Sequence, residues 1–161
     1  MPRIRAYRPS DWTAFIELDL QTGTASLHGS TATERSEFRA RWPEVLKSRF
    51  AWADTGPTTA GSALVVLEDD SGAYAGHLWL SELEDLFTGS IALFVTTIAI
   101  ASAYRGRGWG RLLMEHAIKE ANARGLKSVR LGVDCNNAGA RRLYESLGFE
   151  PIRMTMAKSL G

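Results

Sequence analysis

The sequence predicts a mixed α/β fold, an antiparallel meander followed by a parallel βαβ unit. Three observations carry that prediction. First, two apolar strand-like runs, 62–68 and 73–80, flank Asp69-Asp70-Ser71-Gly72, a tight-turn signal that folds one run back on the other. Second, a β-rich run at 90–100 is followed by a Gly/Arg loop, an amphipathic helical pattern and another β-rich run at 128–133. Such strand–helix–strand units place their two strands parallel. Third, the chain has 161 residues, 45% hydrophobic and 23% charged, which suits one domain, 1–161, with a substantial core.

The elements follow in order. Ile4 to Tyr7 reads as a short strand, and Pro9-Ser10-Asp11 offers oxygens to cap a helix. Phe15, Ile16, Leu18 and Leu20 mark a first helix from Trp12. Residues 22–33, rich in Gly, Ser and Thr, read as a flexible loop, and a second helix over about 34–49 is expected to kink or break at Pro43. The acidic stretch 81–89 reads as the connection between the hairpin and the strand at 90–100. Leu112, Leu113, Ala117, Ile118 and Ala121 share one helical face, which Arg124-Gly125 closes. Asn136-Asn137 caps a further helix over 138–147 that Gly148 stops, and 152–157 alternates as a final strand should.

Bulk properties exclude several classes. A net charge of +1 argues against nucleic-acid and membrane-surface binding, which draw on a basic excess. No apolar run reaches membrane-spanning length and no leader pattern is present. The single cysteine, Cys135, rules out an intrachain disulfide and fits a reducing, cytoplasmic setting, with the residue read as a small buried hydrophobe. Too few soft ligands are present for a Cys/His metal site, so no metal is expected. His28, His77 and His116 read as structural or solvated. The five tryptophans read mainly as core, with Trp42 and Trp52 as candidates for lining an acceptor pocket.

The chemistry concentrates at Arg105-Gly106-Arg107-Gly108-Trp109-Gly110, between a buried strand and a helix. Glycines let backbone approach a ligand without Cβ obstruction. The first helical turn leaves amide groups unpaired, and these and the helix dipole favour a phosphate. Arg105, Arg107 and Arg111 add positive charge. A dinucleotide fingerprint requires glycine where Arg111 stands, and a triphosphate loop requires Gly-Lys-Ser/Thr, which is missing.

Arg105-x-x-Gly108-x-Gly110 and Asn137-x-x-Ala140-x-x-x-Tyr144-x-x-x-Gly148-Phe149 together resemble the two hallmark motifs of the GCN5-related N-acetyltransferase (GNAT) family. The resemblance implies a GNAT-like mixed sheet with helices on both faces, and acetyl-CoA as cosubstrate. It implies that the pantetheine arm lies along Ile98, Ala99 and Ile100, with the pyrophosphate on the amides of residues 106 to 111. Asn137 would bond the arm, or act only as a helix cap, and Ala140 would leave room for it. Tyr144 takes the family's usual general-acid position; a phenol, pKa about 10, stays protonated beside a thiol, pKa about 8.5. The acceptor would be a primary amine of a small molecule, attacked directly in a ternary complex. A protein or peptide amino terminus is the alternative acceptor, and a non-catalytic acyl-CoA sensor the alternative function. Family members are often dimers, so a homodimer is expected.

The proton acceptor is not obvious. Many relatives carry an acidic residue near the positions of Thr96 and Thr97, and a threonine hydroxyl is a poor base. Glu82, with Glu84 and Asp85, supplies nearby carboxylates. They serve as remote bases, as attractors of a cationic substrate, or merely as a solvated turn.

Overall fold

The computed structural model describes residues 1–27, 31–50, 60–156 and 158. His28 and Trp52, weighed above as site candidates, and Ala157, the expected end of a last strand, lie outside the described residues. Among the described residues one sheet has the spatial order β1 (Arg3–Ala6), β2 (Ala63–Glu68), β3 (Tyr74–Glu84), β4 (Ile91–Ile100), β5 (Val129–Leu131). The first four strands pair antiparallel, and β4 with β5 parallel. The described residues add four α-helices: α1 (Trp12–Ser26), α2 (Ala32–Phe50), α3 (Trp109–Ala123) and α4 (Ala138–Ser146). The mixed sheet is the one the sequence predicts.

Side-chain alternation explains the layers. On β3, Leu78 and Leu80 point to a core shared with Leu113, Met114 and Ala117 of α3, while Trp79 packs with Phe15 of α1 and Leu46 of α2. Helices therefore cover both faces. Leu113 and Met114 are fully buried, and each contributes about 2 to 3 kcal/mol of hydrophobic stabilisation. The β3–β4 contact is unusually close at Gly76, where an added Cβ would lie 2.4 Å from the Ala99 carbonyl oxygen.

Several boundaries differ from the expectations, each for a local reason. Helix α1 absorbs residues 22–26, read above as loop, and the Thr22 hydroxyl donates back to the Leu18 carbonyl at 3.0 Å. Helix α2 starts earlier than expected, because Thr31 and Glu34 form a reciprocal cap: Thr31 N–H donates to Glu34 Oε2 at 2.6 Å and Glu34 N–H to Thr31 Oγ1 at 3.2 Å. It then runs through Pro43 without a break. Asp11 does not cap α1; its buried carboxylate receives two hydrogen bonds from Arg5, at 2.7 and 2.8 Å, and one from Arg8 N–H at 2.7 Å. Strand β3 extends into the acidic stretch as far as Glu84, while β5 covers only half the expected length. Residues 152–156 alternate as a strand would but form none, and Ile152, Met154 and Met156 are exposed. Cys135 is also exposed, not buried.

Candidate active site

The site begins with one extra residue in β4. Trp79 lies opposite Thr97 and Leu80 opposite Val95, so Thr96 has no counterpart and the strand bulges there. Strand β5 pairs only with Leu93 to Val95, just before the bulge. The two parallel strands thus part where β4 bends. Leu93 N–H donates to Ser128 of the β5 side at 3.0 Å, and Ala101 N–H to Ala75 of the β3 side at 2.9 Å. Alternation between those points, with the bulge counted, turns the backbone groups of Ile98 and Ile100 toward the opened side and those of Ala99 toward β3. The Ile100 carbonyl there accepts from Arg105 Nε at 3.0 Å.

A cavity of about 490 Å³ occupies this opening. Thr96, Thr97 and Ile98 form its floor, and the chain leaving β5 (Leu131 to Asp134), with Asn137 and Tyr144, forms one wall. Asp19, Thr22 and Gly23 of α1, one helical face at i, i+3, i+4, form the opposite wall with Phe38 and Trp42 of α2. Tyr144 is 8% exposed. Burial pushes its phenol up from the ordinary value, so it stays protonated at neutral pH. Asn137 Oδ1 accepts from Ala140 N–H at 3.1 Å; it caps α4 and lines the cavity.

The wall built by α1 and α2 holds a carboxylate, Asp19, that was not among the sequence candidates. Asp19 is 5% exposed. Trp42 Nε1–H donates to its Oδ2 at 2.5 Å, and the Thr97 hydroxyl donates to its Oδ1 at 2.8 Å. His77 Nε2 lies 3.4 Å from Oδ1 without the alignment of a hydrogen bond. His77 is fully buried, and its Nδ1 lies 2.8 Å from the Tyr74 hydroxyl. Burial pushes the Asp19 carboxyl up, but His77, Trp42 and Thr97 together outweigh it and hold the group below its ordinary range. The sequence signal for it is faint: Asp19 stands four residues after Phe15, on the same helical face as that buried ring, but Glu17 beside it is as acidic and nothing local separates the two.

The glycine loop lies at the other end. Helix α3 starts with Gly108 in the left-handed region (φ 79°) and has no side-chain cap. Its first amides therefore lack intrahelical or side-chain partners. Open space lies where a Cβ would stand at Gly106 and Gly108, whereas a Cβ at Gly110 would come within 3.2 Å of Leu143. Arg107 lies over the stacked rings of Tyr104 and Trp109, at 5.5 and 5.8 Å. Arg111 donates to Ser146 Oγ at 2.6 Å. Glycine freedom, an uncapped helix start and three arginines fit a pyrophosphate.

The acidic stretch is placed elsewhere. Glu82, named above as a base candidate, is not among the described residues lining the cavity; Arg124 Nη1 pairs with it at 3.1 Å. Asp85 is buried, not a solvated turn residue. It pairs with Arg130 and Arg153, and the Arg130 hydrogen bond above all holds its carboxyl well below the ordinary range. His116 is half-buried on α3, and burial pushes its imidazole down. Among the described residues no group of His, Cys, Asp and Glu is arranged to hold a metal, and no helix is long and apolar enough to cross a membrane.

Comparison with known proteins identifies the family. The chain is 38% identical over 88 residues to a mycothiol acetyltransferase of Beutenbergia cavernae, covering 55% of this chain and 28% of that protein. It is 48% identical over 52 residues to the [ribosomal protein bS18]-alanine N-acetyltransferase of Salmonella typhimurium, covering 32% of this chain and 35% of that one. The chain thus spans only about a third of the length of these curated relatives. A GCN5-related N-acetyltransferase structure from Ralstonia eutropha superposes with a TM-score of 0.77 at 18% identity, covering 100% of both chains, and so shares the fold. The profile of the Acetyltransferase (GNAT) family matches residues 30–149, well over half the chain, and the protein belongs to that family.

Proposed function

We propose that this chain is an acyltransferase that moves an acetyl group from acetyl-CoA to a primary amine of a small molecule, by direct attack in a ternary complex. The observation that carries the reading is a single cavity joining the opened edge of β4, Tyr144 and the Asp19 wall. When bound, acetyl-CoA supplies a thioester carbon open to attack and a sulfur able to leave. The amides of Gly106 to Arg111, with Arg105 and Arg107, take its pyrophosphate. The strand edge at Ile98 and Ile100, whose backbone groups face the opening while those of Ala99 face β3, runs beside its amide-bearing arm; Asn137 adds a side-chain amide and Ala140 a small surface. The nitrogen attacks as the free base and gives up one hydrogen as a proton to solvent as the C–N bond forms; the C–S bond breaks as Tyr144 Oη hands its proton to the sulfur, and solvent restores the phenol. Glu82 has no part in this reading, because its carboxylate is committed to Arg124. A cytoplasmic location belongs to the same reading, on the single cysteine.

A protein amino terminus is the second reading, favoured by the 48% identical stretch shared with the ribosomal-protein-alanine enzyme. The test is steady-state kinetics with both substrates varied over a panel of small amines and amino-terminal peptides. Intersecting lines with a small amine support the proposal. Parallel lines, turnover only on peptides, or acetyl-CoA binding without any turnover contradict it. Tyr144→Phe should lower kcat about 100-fold or more while leaving acetyl-CoA affinity near wild type.

A further inference from the structure

We propose that Asp19 and Thr97 form an ammonium-binding end of the cavity, and that the acceptor is a cationic primary amine carried on an apolar body lying against Phe38 and Trp42. The proposal rests on the reading of this cavity as the acceptor site.

Trp42 gives its only donor to Asp19 Oδ2, and Thr97 gives its only hydroxyl hydrogen to Oδ1. The pair therefore presents lone pairs to the cavity and no hydrogen. A bound group that completes it must be rich in donors, as an –NH3⁺ group is. A carboxylate or phosphate placed there would meet only acceptors.

Charge points the same way. Asp19 and Asp134 both line the cavity, and no Lys, Arg or His is among the described residues that do. His77 is fully buried beside the carboxylate and does not line the cavity. A concave site with acidic groups and low-dielectric walls concentrates cations.

The remaining wall is flat and apolar. Phe38 and Trp42 stack on successive turns of α2, centroids 5.9 Å apart and planes at 22°. Gly23 makes room for this arrangement, since a Cβ there would lie 2.6 Å from Phe38 Cζ. Aromatic faces hold both an apolar body and the cation beside it.

The test compares three isosteric probes: 2-phenylethylamine, 2-phenylethanol and phenylacetate. Affinities are read by calorimetry, and acetyl transfer to the amine is followed separately. The wild-type protein should bind the ammonium at least about tenfold more tightly than the alcohol and should reject the anion. Asp19→Asn should weaken the ammonium about 100-fold, as loss of one partner of a buried charge pair does, and leave the alcohol within about threefold. If Asp19→Asn does not melt cooperatively, Thr97→Val takes its place, with the ammonium preference lowered about tenfold because the carboxylate itself remains. Equal binding of amine and alcohol by the wild type overturns the proposal, as does a variant that weakens both alike. Ammonium preference without acetyl transfer would uphold the ammonium site and refute the transfer reading. Acetyl transfer without ammonium preference would do the reverse.

Discussion

The two ends of the cavity differ in origin. The loop end is contiguous in sequence, Arg105 to Arg111, and offers backbone: helix amides freed by glycines in the left-handed region and by a missing side-chain cap. The Asp19 end offers side chains drawn from four elements, with Asp19 from α1, Trp42 from α2, His77 from β3 and Thr97 from β4. A backbone site is encoded locally and tolerates exposure. A side-chain site of buried polar groups exists only once the whole core is packed, so binding and stability are tied together there.

That contrast can be broken by substitution. The largest effect is expected for Trp42→Ala, which removes the donor to Asp19 and one stacked ring. It should cost about 3 kcal/mol of stability, read as a lowered urea midpoint, together with amine binding. Gly108→Val should act on the loop end alone. A β-branched residue at φ 79° strains the helix start by about 1 to 2 kcal/mol. Acetyl-CoA affinity should fall about tenfold or more, while amine binding is retained.

The smallest effect is confined to acid. Asp19 and Asp85 both have folded-state pKa values below their ordinary ones. In the window between the folded and ordinary values the unfolded chain binds more protons. The stability these groups contribute is therefore full above about pH 4 and is lost as pH falls through the lower folded values. Melting curves below pH 4 should fall steeply for the wild type. They should flatten for Asp19→Asn and, independently, for Asp85→Asn. A wild type equally stable on both sides of pH 4 would contradict the assignment.

The same contrast explains what was legible in the sequence. The strand order, the βαβ unit and the loop at Arg105 to Gly110 follow from local pattern: alternation, turn residues, glycine spacing. Asn137 and Tyr144 were legible because their spacing along α4 is itself a motif. Asp19 was not, because nothing adjacent in sequence marks its partners; Thr97 lies 78 residues away. The threonine at 97, read as leaving the site without an acid, hands its hydrogen to that carboxylate. Glu82 was the converse case: an acid near the site in sequence, but drawn to Arg124 when the sheet extends through it. The loop expected at 22–33 gives way to helix at both its ends, 22–26 and 32–33, for a similar reason, while 28–30 lie outside the described residues. Composition favours a loop there, but packing of α1 on the sheet carries the helix to Ser26, and the cap at Thr31 starts the next one.

The most direct measurement is calorimetric titration of acetyl-CoA and 2-phenylethylamine, each into the wild type, Gly108→Val and Asp19→Asn. Gly108→Val should lose affinity for acetyl-CoA and keep it for the amine, and Asp19→Asn should do the opposite. If either substitution weakens both ligands alike, or each weakens the ligand assigned to the other end, the two-ended site described here is contradicted.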